Sequence, residues 1–183
     1  MRTLLSDNTL VPPVNEHDHI QGPETAPITL VEYGDFECPY CGQAYPIVKR
    51  VQRHIGDNMR FVYRHFPLTR IHPHAELAAE AAEAAGAQGK FWEMHDILFE
   101  NQNNLEPPDL LHYATRLGLD TNRFSRALAT HIYAPYVREH FMSGVHSGVN
   151  GTPTFFINGE RYDESWDAES LINALEHVLL PDR

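Results

Sequence analysis

The spacing of apolar and polar positions changes several times along the chain, and each change marks an element. Ile28-Thr29-Leu30-Val31-Glu32-Tyr33 is a short, nearly continuous apolar run, the pattern of a strand buried on both faces. From Pro39 to about Ile55, positions Tyr45, Val48, Val51, Gln52 and Ile55 follow helical spacing, and Gly56-Asp57 ends the run. Pro46 inside it lacks an N–H and predicts a kink. Met59 to Phe66 alternates well enough to be a second strand, so this stretch reads as a βαβ unit.

Residues 68–148 then read as mostly helical. An alanine-rich helix opens at Pro73 or His74 and ends near Gly86 or Gly89, and Phe91, Met94 and Leu98 mark a second helix. Pro107-Pro108 starts a third, carrying Leu110, Leu111, Ala114 and Leu117 and closed by Gly118. Asp120 or Thr121 caps a fourth with Phe124 and Leu128, and a fifth carries Val137, Phe141 and Val145 up to Gly148. Strand signals return at Thr152 to Ile157, Asn158-Gly159 is a strong hairpin turn, and Glu160-Arg161-Tyr162 is the return strand. Asp167 caps a last helix with Leu171, Leu175, Val178 and Leu179, stopped by Pro181. Residues 1–26 are polar and punctuated by proline, and are expected to be an extended arm on the body or a disordered leader.

Composition narrows the function classes. At 183 residues, with 42% hydrophobic and 10% aromatic residues, the chain can build a core without staples. A net charge of −11 with no clustered basic stripe argues against nucleic acid and against an anionic membrane surface. The apolar stretch at the N-terminus ends at Leu5, short of the roughly 7–15 residues of a secretory signal, and no run approaches the ~20 of a membrane span. The expectation is a cytoplasmic protein, or a periplasmic one if the chain has been trimmed.

The chemistry concentrates on Cys38-Pro39-Tyr40-Cys41, which holds both cysteines of the chain at the strand-to-helix junction. Free N–H groups and the macrodipole at a helix N-terminus stabilise an anion, and cysteines in such motifs ionise at pKa values of roughly 3.5 to 7. On that reasoning Cys38 is the exposed attacking thiolate and Cys41, one turn in and more buried, resolves the mixed disulfide. Pro39 costs nothing at the first helical turn. The rival reading is half of a zinc site. Cys-x-x-Cys supplies two of four ligands, yet the twelve histidines offer no compact second half: His72 and His74 are two apart, His140 and His146 six. His17 and His19 on the arm are read as surface groups, and His65 and His95 as partly packed. Glu32 is out of place in its run. It is either a strand-end residue reaching water or a buried acid that needs a partner or a raised pKa. Pro153, after Gly151-Thr152, suits a cis peptide and leaves neighbouring backbone groups able to pair with an incoming peptide; Thr152-Pro153 alone also reads as a simple strand entry.

Three separated motifs carry a family resemblance: Glu32-Tyr33-Gly34-Asp35-Phe36-Glu37-Cys38-Pro39-Tyr40-Cys41, Phe91-Trp92-Glu93-Met94-His95, and Gly151-Thr152-Pro153-Thr154-Phe155-Phe156-Ile157-Asn158-Gly159. In this order they resemble the DsbA-like thiol–disulfide oxidoreductases over about residues 25–180, and most of all the single-domain members related to the thioredoxin-like tails fused to some bacterial sodium/proton antiporters. The resemblance implies an α/β thioredoxin fold, a central mixed sheet flanked by helices, with an inserted all-helical subdomain. Residues 1–26 are then an N-terminal arm, 27–67 the βαβ part of the fold, 68–148 the helical insertion and 149–183 the ββα part. It also implies that Cys38 attacks, Cys41 resolves, and Glu32, six residues before Cys38, is the buried acid assisting proton transfer at Cys41. Pro153 matches the cis-proline beside the disulfide and Thr152 the residue that tunes it, so Pro39, Tyr40, Thr152 and Pro153 are expected to face substrate. Pro39-Tyr40 departs from the Pro-His pair of strongly oxidising members and resembles glutaredoxins.

The expected activity is exchange of disulfides with protein or small thiol substrates, with an unidentified thiol electron donor and neither a metal nor a cofactor. In the cytoplasm the reduced thiol pool favours reductase or isomerase work. Two alternatives stay open: a glutaredoxin-like, glutathione-dependent reductase, which the insertion of some 80 residues disfavours, and a redox-responsive or metal-holding interaction module without turnover.

Overall fold

A computed structural model describes residues 8–180; the expected stop at Pro181 and the first seven residues of the arm lie outside them. The strands are β1 (His19–Gln21), β2 (Ile28–Gly34), β3 (Met59–His65), β4 (Thr154–Ile157) and β5 (Glu160–Tyr162). The helices among the described residues are α1 (Pro39–Ile55), α2 (Ala75–Gly86), α3 (Phe91–Glu100), α4 (Pro107–Arg116), α5 (Thr121–Ala129), α6 (Ala134–His146) and α7 (Ala168–Val178). The strands form one mixed sheet in the order β1-β3-β2-β4-β5, which is the thioredoxin fold, with α2 to α6 inserted between β3 and β4. The pairs β1–β3, β2–β4 and β4–β5 are antiparallel, leaving β2–β3, joined through α1, as the parallel one.

The chain divides into two units. Among the described residues, 8–33, 43–64 and 142–180 form a sheet unit, and residues 34–42 and 65–141 a helical unit.

In the sheet unit the apolar run of β2 is buried because the strand is central: Ile28, Leu30, Val31 and Tyr33 are all fully covered. Along α1, Ala44, Val48, Val51 and Ile55 recur every three or four residues and form its buried stripe. The helix continues through Pro46 to Ile55. Register is fixed by Leu30 opposite Ile157, Glu32 opposite Phe155 and Tyr33 opposite Thr154. The Asn158-Gly159 turn has positive φ at both residues, 49° and 85°, as a tight hairpin requires. Asp167 caps α7 by accepting the Ser170 N–H at 2.9 Å.

The described part of the arm, from residue 8 on, is docked on the sheet unit as the first of the two expectations had it. Ile20 opposes Val62 in β1, Leu10 is buried, and its N–H donates to the Gly159 carbonyl at 2.8 Å. Asp18 and the carbonyls of Pro12 and Pro13 accept hydrogen bonds from Arg64. That guanidinium is buried; burial alone lowers its pKa, and Asp18 and Tyr33 reverse this and raise it.

In the helical unit α2 packs against α3, α4 and α5. Ala78, Ala81, Ala82 and Ala85 are buried there, and their small side chains allow close helix approach. Phe36 meets Phe99 in a tilted arrangement at 4.9 Å between ring centroids, and Phe66 stacks on Phe141 at 4.3 Å.

Candidate active site

Cys38 immediately precedes α1 and Cys41 lies in its first turn, so both sit where the helix presents its amide end. The two cysteines are 3.9 Å apart. Cys38 is 3% exposed and Cys41 0%, which corrects the expectation of an exposed attacking thiol. The loop is drawn inward by two side chains of the helical unit. Gln102 donates its amide Nε2 to the carbonyls of Phe36 and Cys38, both at 2.9 Å. Asp35 accepts the Cys38 N–H at 3.2 Å and the Glu37 N–H at 2.8 Å with Oδ1. Its Oδ2 accepts the Leu68 N–H at 2.9 Å and lies 2.7 Å from His72 Nδ1.

Two residues along, the arrangement repeats. Glu37 accepts the His74 N–H at 2.7 Å and meets His74 Nδ1 at 2.8 Å. The pairs Asp35–His72 and Glu37–His74 therefore fasten the redox loop to the segment ahead of α2. From the sequence His72 and His74 are weighed only as zinc ligands, Asp35 and Glu37 only as part of a motif, and Gln102 is not singled out. The matching two-residue spacings, Asp35-x-Glu37 and His72-x-His74, were the available signal. Tyr40 is 62% exposed and Pro39 is also exposed, so the residues between the cysteines form the accessible part of the motif. A cleft of about 650 Å³ borders Pro39, lined by Glu37, His74, Gln102, Asn104 and Glu106 among others.

Glu32, Thr152 and Pro153 belong to the sheet unit. Glu32 is 2% exposed in the middle of β2, opposite Phe155, which rules out the strand-end reading. Thr152 and Pro153 are half-buried and directly precede Thr154, the residue opposite Tyr33 of β2. The Thr152–Pro153 peptide is cis. His65 and His95 are more deeply buried than expected. His65 Nε2 lies 2.6 Å from Glu83 Oε1, and His140 Nδ1 accepts the His65 N–H at 3.2 Å. His17 is on the surface beside Glu16. No group of three or more potential metal ligands occurs among the described residues.

The sequence model of the family described as Thioredoxin matches residues 14–177. The chain belongs to the thioredoxin family. The chain is 52% identical over 166 residues to the Na(+)/H(+) antiporter NhaA 1 of Salinispora arenicola, covering 91% of this chain and 25% of that protein. It is 48% identical over 171 residues to NhaA 1 of Mycobacterium sp. (strain KMS), covering 92% and 28%. This thioredoxin-family chain thus spans about a quarter of the length of these curated relatives, in agreement with the expected likeness to antiporter-associated thioredoxin-like domains. Among solved structures, BdbD from Bacillus subtilis superposes with a TM-score of 0.81 at 22% identity, covering 88% of this chain and 92% of that one. A thioredoxin-like oxidoreductase from Silicibacter pomeroyi DSS-3 gives 0.76 at 27% identity, covering 90% and 94%. Wolbachia pipientis alpha-DsbA1 gives 0.77 at 17%, covering 90% and 92%. The likeness to BdbD and to alpha-DsbA1, both under 25% identical, is one of fold.

Proposed function

We propose that this chain is a thiol–disulfide oxidoreductase acting on protein or peptide substrates through Cys38 and Cys41. The observation that carries the reading is Cys38 at the amide end of α1 with Cys41 one turn on, 3.9 Å away, in a chain of the thioredoxin family. The Cys38 thiolate attacks one sulfur of a substrate disulfide; a Cys38–substrate S–S bond forms, the substrate bond breaks, and the departing sulfur takes a proton. Cys41, losing its proton, then attacks the Cys38 sulfur and expels the second substrate thiol. The protein ends as the disulfide, two electrons have passed to the substrate, and its two sulfurs take up the Cys41 proton and one proton from solvent. Glu32 is assigned to carry the Cys41 proton, supported by its burial and its place six residues before Cys38. Pro39, Tyr40, Thr152 and Pro153 are assigned to face the substrate chain, supported for Tyr40 and Pro39 by their exposure.

The reaction is reversible, and its direction follows the potential of the partner. Where the surrounding thiol pool is reduced, it favours net reduction or isomerisation. Ion transport is not part of the proposal. The antiporter relatives are about four times as long as the matched segment, and no helix among the described residues is long and apolar enough to cross a membrane.

Equilibration with glutathione redox buffers, read by thiol labelling, tests the reading together with a Cys41→Ser variant. The dithiol and disulfide should interconvert, and the variant should accumulate mixed disulfides at Cys38. A protein that exchanges with no thiol or disulfide, or a Cys41→Ser variant that traps nothing, refutes it. Bound stoichiometric zinc without exchange would point instead to an interaction module.

A further inference from the structure

The candidate redox loop is not held by its own helix alone. Asp35 is fully buried, and both of its oxygens are committed to two donors each: Glu37 N and Cys38 N on one side, Leu68 N and His72 Nδ1 on the other. Oδ1 therefore closes the turn that delivers Cys38 to α1, and Oδ2 anchors that turn to residues 68–72. A buried carboxylate stays tolerable only when paired, and His72, 14% exposed, is its cationic or hydrogen-bonding partner.

The same carboxylate accepts the backbone N–H of Cys38 at 3.2 Å, the residue whose thiol reacts by forming an anion. Two local fields oppose each other at Cys38. The amide end of α1 favours the thiolate, and the Asp35 charge disfavours it to the extent that His72 leaves it uncompensated. Glu37 and His74, the other titratable pair fastening this loop, lie 2.8 Å from each other. His65 and His95 face Phe36 from β3 and α3, with ring centroids 6.0 and 5.7 Å away.

We propose that Asp35 is the positioning residue for Cys38, and that the Asp35–His72 pair sets how readily Cys38 reacts. Resting on the oxidoreductase reading above, this assigns the tuning of the thiol to a carboxylate–imidazole pair outside the Cys-Pro-Tyr-Cys segment.

The test compares the full chain with Asp35→Asn, His72→Leu and His72→Gln. Each is reduced and alkylated with iodoacetamide across a pH series, with modification of Cys38 followed by mass mapping, and each is equilibrated with glutathione buffers. Asn keeps an acceptor for the Glu37 and Cys38 N–H groups and removes the charge. The pH of half-maximal Cys38 alkylation should therefore fall by about one unit, with a ~10-fold shift of the glutathione equilibrium toward the dithiol. His72→Leu leaves the carboxylate uncompensated and should move both readings the opposite way, and His72→Gln, which retains a donor, should restore them. A purely structural anchor would shift the Asn and Leu variants in the same direction, and that result overturns the proposal, as do wild-type readings in both. If Asp35→Asn does not fold, the contrast between His72→Leu and His72→Gln decides alone. A wild-type protein that never exchanges with glutathione removes the oxidoreductase reading itself, which separates the two failures.

Discussion

Asp18 and Arg64 meet through two parallel hydrogen bonds of 2.8 Å, Oδ1 to Nε and Oδ2 to Nη2, with both side chains almost fully buried. The pair joins the N-terminal arm to β3, and Arg64 reaches on to the Tyr33 hydroxyl, which bonds Ser143 Oγ at 2.7 Å. Replacing one member leaves a buried charge with its strongest partner gone. Asp18→Ala should therefore lower stability by about 3–5 kcal/mol in urea unfolding. A loss below about 1 kcal/mol, the range of an exposed pair, would show that the arm is not held by this contact.

Asp167 gives a pH signature. Its hydrogen bonds from Ser165 and Ser170 lower the carboxyl from 3.8 to about 2. A depressed acid contributes stability above its unfolded pKa and loses that contribution as pH falls through the folded one. The cap's contribution should accordingly be complete above about pH 4 and fade toward pH 2. Asp167→Asn keeps the acceptor but not the titration, so its melting temperature should fall less than the wild type's over this window. Parallel curves would contradict the assignment.

Glu80 shows the opposite sign. Burial raises its carboxyl above the usual 4.5, and His131, 3.1 Å away, only partly counters this. A raised acid favours the folded state below its unfolded pKa, and that advantage is lost as pH rises beyond 4.5. Glu80→Gln should remove the loss, so the stability of the variant relative to wild type should grow between pH 4 and pH 7. His131→Ala should deepen the loss. A constant difference between Glu80→Gln and wild type across that range would refute this reading.

The elements with a strong period were legible from the chain: the β2 run, the stripe of α1, the hairpin at Asn158-Gly159, and the helices between β3 and β4. What escaped were elements and partners with no period to read. β1 is three residues long with one apolar side chain, Ile20, and Leu10 is a single apolar residue in a polar arm, so neither produces a pattern. Glu32 stayed ambiguous because a carboxylate in an apolar run is compatible with both a strand end and a paired buried acid. The Cys-x-x-Cys segment was visible, but the groups gripping it come from residues 30 or more positions away: His72, His74 and Gln102. Polar side chains that bond at such separations leave no local trace. They also explain why Cys38 is less exposed than its position at a helix end suggested.

Gly42 shows how tightly that grip is built. A Cβ added there would come within 2.1 Å of Gln102 Oε1 and 2.7 Å of its Cδ, so alanine must displace the amide that holds the Phe36 and Cys38 carbonyls. Two effects compete. Alanine in a helix is worth about 1 kcal/mol over glycine, while losing two hydrogen bonds costs about 1–3 kcal/mol. In the wild-type background the second should win, and Gly42→Ala should destabilise by about 1 kcal/mol. In a Gln102→Ala background only the first remains, and the same substitution should stabilise by up to about 1 kcal/mol. A double-mutant cycle in denaturant therefore predicts a reversal of sign, and equal effects in the two backgrounds would show that Gln102 does not hold the loop.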